Sequence, residues 1–467
     1  MIISYFKIIN TYFAFAILIV LGHLSDQLSK IFHRKKYIKY FKQGQLYPLF
    51  TTFESFYVRR LYRKICDCWN RPINTAPKKD INVLERYSTD CNNTFKNTGN
   101  TIYALNFASY NYLGFADHNS FKSYEYFDEL IDTNQDVVCS LPQYYYESDH
   151  IKKLELALQN FLGKESCILF QMGYGTNTLN LPLFVDNSLV FSDEKNHMSL
   201  INGLKFTKGT VVVYKHNNFK DLERKLKFHL AQGKPTTHRS WNKVFVVLEG
   251  LFSMEGTIPD LQKLIDLKKK YGFYIYLDEA HSFGCIGKTG RGVCELQNIN
   301  TNEIDIIMGT FTKAFNGYGG FIAGSKQIIE FLRKESPFYR FGDSISPIVV
   351  RQVYINLMRL RENPQIVGDL KEKVKFMRKM LKARKFIVLG NDNSPIIPLL
   401  ICNPGKIAEF SRLCLSRGLA MVVVGYPATP ILEARTRICV SAAHTYEDIK
   451  KAVNIINIVG SLLGIKK

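Results

Sequence analysis

The chain has 467 residues, 46% hydrophobic and 22% charged, which excludes a disordered or low-complexity protein and leaves room for two or three domains. Lys and Arg outnumber Asp and Glu by 62 to 41, a net charge of +21, but no nucleic-acid motif accompanies the excess, so it points to an anionic membrane rather than to nucleic acid, a solvated basic face being the plain alternative. Ten cysteines are scattered, with no CxxC pair and no Cys/His cluster at zinc spacing, so no metal site is expected and the thiols read as reduced and cytosolic.

The amino-terminal run Ile8 to Leu24 carries no charge and, at about 17 residues, reaches the lower limit for a bilayer-spanning helix. No small-residue cleavage site follows it and the basic residues come after it, which argues against a signal peptide. Those residues begin with Lys30, Arg34, Lys35, Lys36, Lys39 and Lys42 and continue with Arg59, Arg60, Arg63, Lys64 and Arg71, against only Glu54 and Asp67. A spanning anchor over residues 1–28 is expected, with the basic flank and everything beyond it in the cytosol; a helix lying on the membrane or packed in the core is the alternative. Residues 29–100 read as a basic arm and linker, since Asn82 to Asn100 is polar, rich in Asn and Thr, and without an apolar period.

A catalytic body is expected from about Ile102, with a large domain over 101–360. Short apolar runs at 189–192, 210–214, 243–249, 273–279 and 304–310 alternate with helical segments such as Lys220 to Leu230 and Leu261 to Tyr271. This order predicts an α/β fold, a mostly parallel sheet flanked by helices. Several runs end in polar residues, Asp193, Glu249, Asp278 and Thr310, and ligands of such sheets sit outside the carboxyl ends of the strands. From Pro364 the pattern changes to a basic helix at Asp369 to Lys385, an apolar run PIIPLLIC, a helix at Lys406 to Arg417 and the run ARTRICVSAAHT, which predicts a smaller α+β domain over 361–467.

The stretch Gly309 to Gly320 places Lys313 in a hydroxyl- and glycine-rich turn after a buried strand, and Asp278 ends another strand upstream. A lysine that holds an aldehyde as a Schiff base and an aspartate that keeps a pyridine nitrogen protonated are what pyridoxal 5′-phosphate chemistry needs. Gly173 and Tyr174, in Met172 to Asn177, would open a helix whose free N–H groups cradle a phosphate; the plain alternative is a glycine turn. His197, in a polar turn, is placed to stack on a flat ring, and His281 to meet a phenolic oxygen or to cap the next helix. Arg435 and Arg437 share one face of a strand, and one of them is a candidate for a substrate carboxylate.

With these residues stand Phe56-Tyr57-Val58-Arg59-Arg60-Leu61-Tyr62, Asp67-Cys68-Trp69-Asn70-Arg71-Pro72, Ser109 to Gly114, Val247 to Gly250 with Ser253 to Gly256, and Gly425 to Pro430 leading to Ser441-Ala442-Ala443-His444-Thr445. Across residues 53 to 455 the chain resembles the α-oxoamine synthases, fold-type I pyridoxal phosphate enzymes, and more narrowly the lysine-bearing catalytic subunits of serine palmitoyltransferase. The resemblance implies condensation of L-serine with a long-chain acyl-CoA to 3-ketosphinganine, the first step of sphingolipid synthesis, at the cytosolic face of the endoplasmic reticulum membrane. It implies a heterodimer with a lysine-lacking paralogous subunit, a homodimer being the alternative. It makes Lys313 the Schiff-base lysine, Asp278 the pyridinium partner, His197 the stacking residue and His281 the neighbour of the ring oxygen. Thr310 and Thr312 become the hydroxyls beside the lysine, and Asn111 and Arg435 the residues near the amino-acid carboxylate. The chain departs from the family at Leu141 to Tyr146, where relatives carry an arginine and a glycine before the position of His150; this bears on the acyl-CoA entrance or a partner contact. Rival readings are a 5-aminolevulinate synthase or glycine ligase, which the arm and the membrane segment oppose, and a non-catalytic scaffold, which Lys313, Asp278 and His197 oppose.

Overall fold

Runs of β-branched and aromatic residues that are apolar on both faces form strands sealed inside a sheet; of the five read from the sequence four do so here, and the fifth, Thr210–Tyr214, is an edge strand with Val211 and Val213 exposed. In the computed structural model, which describes residues 5–32, 56–90, 92–117, 142–145 and 148–466, these five join two more strands in a seven-stranded sheet. The strands are β3 (Ser166–Phe170), β4 (Leu189–Asp193), β5 (Thr210–Tyr214), β6 (Val244–Glu249), β7 (Tyr274–Asp278), β8 (Ile306–Thr310) and β9 (Gly320–Gly324), following the hairpin strands β1 and β2 described below. Their order is β3-β9-β8-β7-β6-β4-β5, with β9 antiparallel to its neighbours and the others parallel. Helices cover both faces. The predicted helix Leu261–Tyr271 has those limits, set by the Asp260 side chain accepting from the Lys263 N–H (3.1 Å) and by Gly272 at φ 68°.

The small domain carries β10 (Ile396–Cys402), β12 (Val422–Val424) and β13 (Ala434–Cys439) in an antiparallel sheet of order β10-β13-β12, packed with helices Gln365–Ala383, Pro404–Leu415 and Tyr446–Leu462. Buried Arg378 holds the first helix to the sheet by donating to the carbonyls of Leu389 (2.7 Å) and Ile396 (2.9 Å).

Two expectations about the amino-terminal third are corrected. The stretch 82–100 is not a connection but most of an antiparallel pair, β1 (Asp80–Tyr87) with β2 (Lys96–Asn106), and β2 continues in parallel into β11 (Leu419–Ala420) of the small domain. Ile81, Val83 and Ala104 pack with Leu415 and Ala420, and Leu105 enters the main core, whereas residues 96–101 are exposed, so polar side chains masked the alternation. The folded body also begins before Ile102. Trp69 Nε1 donates to the Val423 carbonyl (2.7 Å), Arg71 to Ser411 Oγ (3.0 Å), and Asp67 accepts from Arg412 at 2.7 and 2.8 Å. Residues 67–71 of the arm are therefore packed and hydrogen-bonded against the helix Pro404–Leu415 and β12.

Helix α1 (Tyr5–Phe32) contains an apolar stretch, Ile8–Ser29, long enough to cross a membrane, with mean hydropathy 1.8. It lies against the arm and the small domain. Phe15 meets Tyr426 edge-on, His23 stacks on Phe56 at 4.1 Å, Asp26 pairs with Arg60, and Ser29 accepts from Arg60 at 2.8 Å. Buried Thr11 and Gly22, where a Cβ would stand 2.7 Å from the Phe56 ring, lie on the same stripe. The other side exposes Ile9, Phe13, Ile17, Val20, Leu24 and Leu28. Arg34, Lys35, Lys36, Lys39 and Lys42 lie outside the described residues.

Candidate active site

The carboxyl ends of the parallel strands open on one cavity of about 320 Å³. Met172, Gly173, Tyr174, Asn177, His197, Ser199, Glu249, Asp278, His281, Thr310, Thr312 and Lys313 are among the residues lining it. The fold thus brings together nine residues singled out in the sequence, Gly173, Tyr174, His197, Glu249, Asp278, His281, Thr310, Thr312 and Lys313.

Lys313 follows β8 in a turn whose backbone closes when the Gly317 N–H donates to the Phe311 carbonyl (3.0 Å). Lys313 is half-buried, and the loss of water around its amine pulls its pKa down to about 8, although Asp278 and Glu249 draw it up. A poised amine is therefore present near neutral pH. Asp278 is held by Asn177 Nδ2 at 2.7 Å and by the Ala280 N–H at 2.8 Å, and Asn177 is aligned in turn by the Tyr276 hydroxyl (2.8 Å).

His197 caps the helix Met198–Lys205, its Nδ1 accepting from the Ser199 N–H (3.2 Å) and facing the Ser199 hydroxyl (2.8 Å). With Nδ1 an acceptor, the ring is neutral and carries its proton on Nε2. Partial loss of water lowers its pKa, against the pull of Asp278. Asn177 Nδ2 also donates to Ser199 Oγ (3.0 Å), so one chain, His197–Ser199–Asn177–Asp278, ties the ring-facing histidine to the aspartate. Glu249, buried beside Asp278, has its pKa pushed well up by burial first and by that neighbouring charge second, and it accepts a backbone hydrogen bond from His197.

His281 does not cap a helix. It is buried between Tyr112, whose hydroxyl lies 2.9 Å from Nδ1, and the edge of Tyr110 at 5.0 Å. Burial holds the imidazole neutral and the Tyr112 phenol protonated, so Tyr112 donates to Nδ1 and Nε2–H is left as the outward donor. At the other end of the cavity Gly173 begins the helix Gly173–Val185, whose first N–H groups have no acceptor within the helix. A Cβ at Gly173 would stand 2.5 Å from Thr310 Oγ1, which itself donates to the Gly319 carbonyl (2.9 Å) and meets Thr312 Oγ1 at 3.0 Å. Tyr174 lies edge-on to His197 at 6.2 Å.

Asn111, Arg435 and Arg437 are not among the residues lining this cavity. Asn111 closes its own turn, donating to Asp117 (3.0 Å) and accepting from the Ala116 N–H (3.2 Å). Arg435 is taken by Glu433 at 2.6 Å, the Met254 carbonyl at 3.2 Å and Glu255 at 3.7 Å. Arg437 lies over the Tyr110 ring at 4.6 Å, with its Nε buried and unpartnered, and the opposite-lying Lys313 Nζ is 5.9 Å from the same ring. Sequence reasoning had no role for Asn177, Ser199, Glu249, Tyr110 or Tyr112. The signal for Asn177 was its place one helical turn after Gly173, on the same face of that helix. Of the divergent stretch, Leu141 and Tyr146 lie outside the described residues; Tyr144 sits beside Arg340, 5.5 Å from its ring centroid, and Tyr145 is exposed.

The aminotransferase class I and II family model matches residues 104–456. Serine palmitoyltransferase 2 of Schizosaccharomyces pombe is 41% identical, covering 99% of this chain and 78% of its own. The chain belongs to the serine palmitoyltransferase 2 family. Long chain base biosynthesis protein 2b of Arabidopsis thaliana is likewise 41% identical over 99% of this chain and 96% of its own. Among solved structures, a Sphingomonas wittichii serine palmitoyltransferase superposes with TM-score 0.77 at 22% identity, covering 90% of this chain and all of the other, which shows the shared fold. Pyridoxal 5′-phosphate is the cofactor of this family, and the cavity's donor set fits it. A desolvated lysine amine lies near a carboxylate that is fixed by two donors, an imidazole lines the same cavity, and a helix start where a Cβ would press on Thr310 Oγ1 lies beside two hydroxyls.

Proposed function

We propose that this chain is the catalytic subunit that condenses L-serine with a long-chain acyl-CoA thioester, with loss of carbon dioxide, to give 3-ketosphinganine. The observation that carries the reading is the desolvated Lys313 amine, with a pKa of about 8, sharing one cavity with Asp278 and His197. Lys313 would hold the cofactor aldehyde, Asp278 the pyridine nitrogen, His281 the ring oxygen, and Gly173, Tyr174, Thr310 and Thr312 the phosphate. When bound, pyridoxal phosphate supplies an electron sink for negative charge at the amino acid's Cα. Lys313, released as a free amine, takes the Cα proton, for which a pKa near the working pH is suited. His197 presents Nε2–H to the oxygen that gains charge as the thioester is attacked. Arg437 replaces Arg435 as our choice for the serine carboxylate, because Arg435 already has its carboxylate partner whereas Arg437 keeps a buried, unpaired N–H beside Tyr110.

Exposed Met172, Tyr174, Met198, Tyr318 and Phe341 on cavity-side elements support cover by a second, paralogous subunit. The protein-facing stripe of α1 runs from Thr11 to Ser29, about 27 Å at 1.5 Å per residue, so the body flanks most of the helix. That supports a helix lying along the cytosolic surface of the endoplasmic reticulum membrane with Ile9, Phe13, Ile17 and Leu24 in lipid, in place of the spanning anchor expected from composition. The test is formation of 3-ketosphinganine from serine and palmitoyl-CoA by the membrane complex, followed by mass spectrometry. Product at the wild-type rate from Lys313→Ala would defeat the reading.

A further inference from the structure

Outside the cavity, three polar side chains from three separate segments form a continuous chain. Asp193, buried at the end of β4, accepts from His216 Nδ1 at 2.9 Å through Oδ1, and His216 Nε2 lies 2.8 Å from Thr257 Oγ1. The imidazole is steadied by the Phe252 ring, edge-on at 4.4 Å.

Each end of this chain leads to the site. At one end, Asp193 Oδ1 also accepts from the Lys195 N–H (2.9 Å), two residues before His197, and Oδ2 accepts from the Asn217 N–H (3.0 Å). The carboxylate thus fixes the turn that presents His197. At the other end, Thr257 closes the loop 252–257, its carbonyl accepting from the Phe252 N–H (3.0 Å) and the Gly256 N–H donating to the Phe252 carbonyl (2.8 Å). The tip of that loop touches both strand arginines. Met254 offers its carbonyl to Arg435 (3.2 Å) and its sulfur to Arg437 (3.5 Å), while Glu255 lies between Arg435 (3.7 Å) and Lys195 (3.8 Å).

We propose that His216 is a positioning residue that sets the distance between the His197 turn and the Met254 loop, and so between the ring-facing histidine and the carboxylate-binding Arg437. The proposal rests on the reading of Arg437 given above. Loop 252–257 has no ladder of its own to fix its register, so a side-chain tie from a rigid strand end sets where its tip lies. His216 suits that position because one ring can donate at Nδ1 to a carboxylate and accept at Nε2 from a hydroxyl, spanning both at fixed separation. Asp278 is held by Asn177 and Ala280 and Thr310 by the Gly319 carbonyl, none of them in this hydrogen-bonded chain, so cofactor affinity is expected to depend on it less than serine binding does.

The experiment compares His216→Phe, His216→Gln and Thr257→Val in the membrane complex with its co-purifying subunit. His216→Phe keeps the ring packing on Phe252 and removes both hydrogen bonds. It should raise the KM for serine about tenfold, the worth of roughly one charge-assisted hydrogen bond, with the KM for palmitoyl-CoA, cofactor affinity and Tm little changed. His216→Gln, whose amide can donate to Asp193 and accept from Thr257, should restore most of the serine KM, and Thr257→Val should reproduce His216→Phe without adding to it. Equal movement of both KM values together with cofactor affinity and Tm would make the role merely structural and overturn the proposal, as would an unchanged serine KM. If the wild-type complex turns over another amino acid, the substrate reading fails on its own, and the KM for that amino acid then reports on His216.

Discussion

The pKa of Lys313 offers the sharpest test of the site, because its free amine must attack the cofactor aldehyde before anything else happens. With a pKa of about 8, roughly 9% of the amine is neutral at pH 7; an unshifted lysine at 10.5 would have roughly 0.03%, a ratio of about 300 or some 3 kcal/mol. The protein stripped of cofactor should therefore incorporate pyridoxal phosphate at Lys313 at a rate that climbs with pH and levels off just above 8. Borohydride trapping at a series of pH values, with the Lys313 peptide quantified by mass, gives the midpoint separately from surface lysines. Asp278→Asn removes the charge that most raises the pKa, so its midpoint should move lower. The sign for stability is also determined: a folded pKa below the unfolded one disfavours the charged form, so cofactor-free protein should gain stability as pH rises from about 8 towards 10.5. A capture midpoint near 10, or one that rises in Asp278→Asn, would refute the desolvated, carboxylate-coupled lysine.

Asp278→Asn should still carry cofactor on Lys313 yet exchange the Cα proton of serine about a hundredfold more slowly, followed by NMR in deuterium oxide, because a neutral amide cannot hold the proton on the ring nitrogen. Gly173→Ala should weaken cofactor affinity and lower stability by about 1–3 kcal/mol, since its Cβ would press on Thr310 Oγ1; equilibrium dialysis and thermal melts read the two effects. Asp67→Ala should cost about 1–3 kcal/mol by leaving the Arg412 guanidinium without its carboxylate, seen as a lower Tm even though Asp67 lies in the arm far along the sequence. Deleting residues 1–28 should release the protein into the soluble fraction with cofactor incorporation intact, and alkaline carbonate should extract the full-length protein if α1 lies along the membrane; resistance to carbonate would restore the spanning reading.

Strand ends and the turns after them were legible in the sequence because a buried parallel strand is an unbroken apolar run, and its abrupt polar ending marks the ligand side of the sheet. Asp278, Glu249, His197 and Lys313 were all visible in that way, as were the limits of the helix Leu261–Tyr271, which its Asp260 and Gly272 caps define locally. Folding decided what depends on distance across the chain. Period two placed Arg435 and Arg437 on one face alike, and only the partners brought from Glu433, Met254 and Tyr110 distinguish them. The pair β1 and β2 was hidden because its pattern is polar at one end and its apolar face is made by Leu415 and Ala420, more than three hundred residues away. Tyr112 carries no local mark of function, since a phenol in a turn acquires meaning only when His281 is folded against it. Local sequence determined the chemistry on offer, and tertiary packing chose which groups would be desolvated, paired and aimed, because pKa and hydrogen-bond direction are properties of surroundings that no short segment contains.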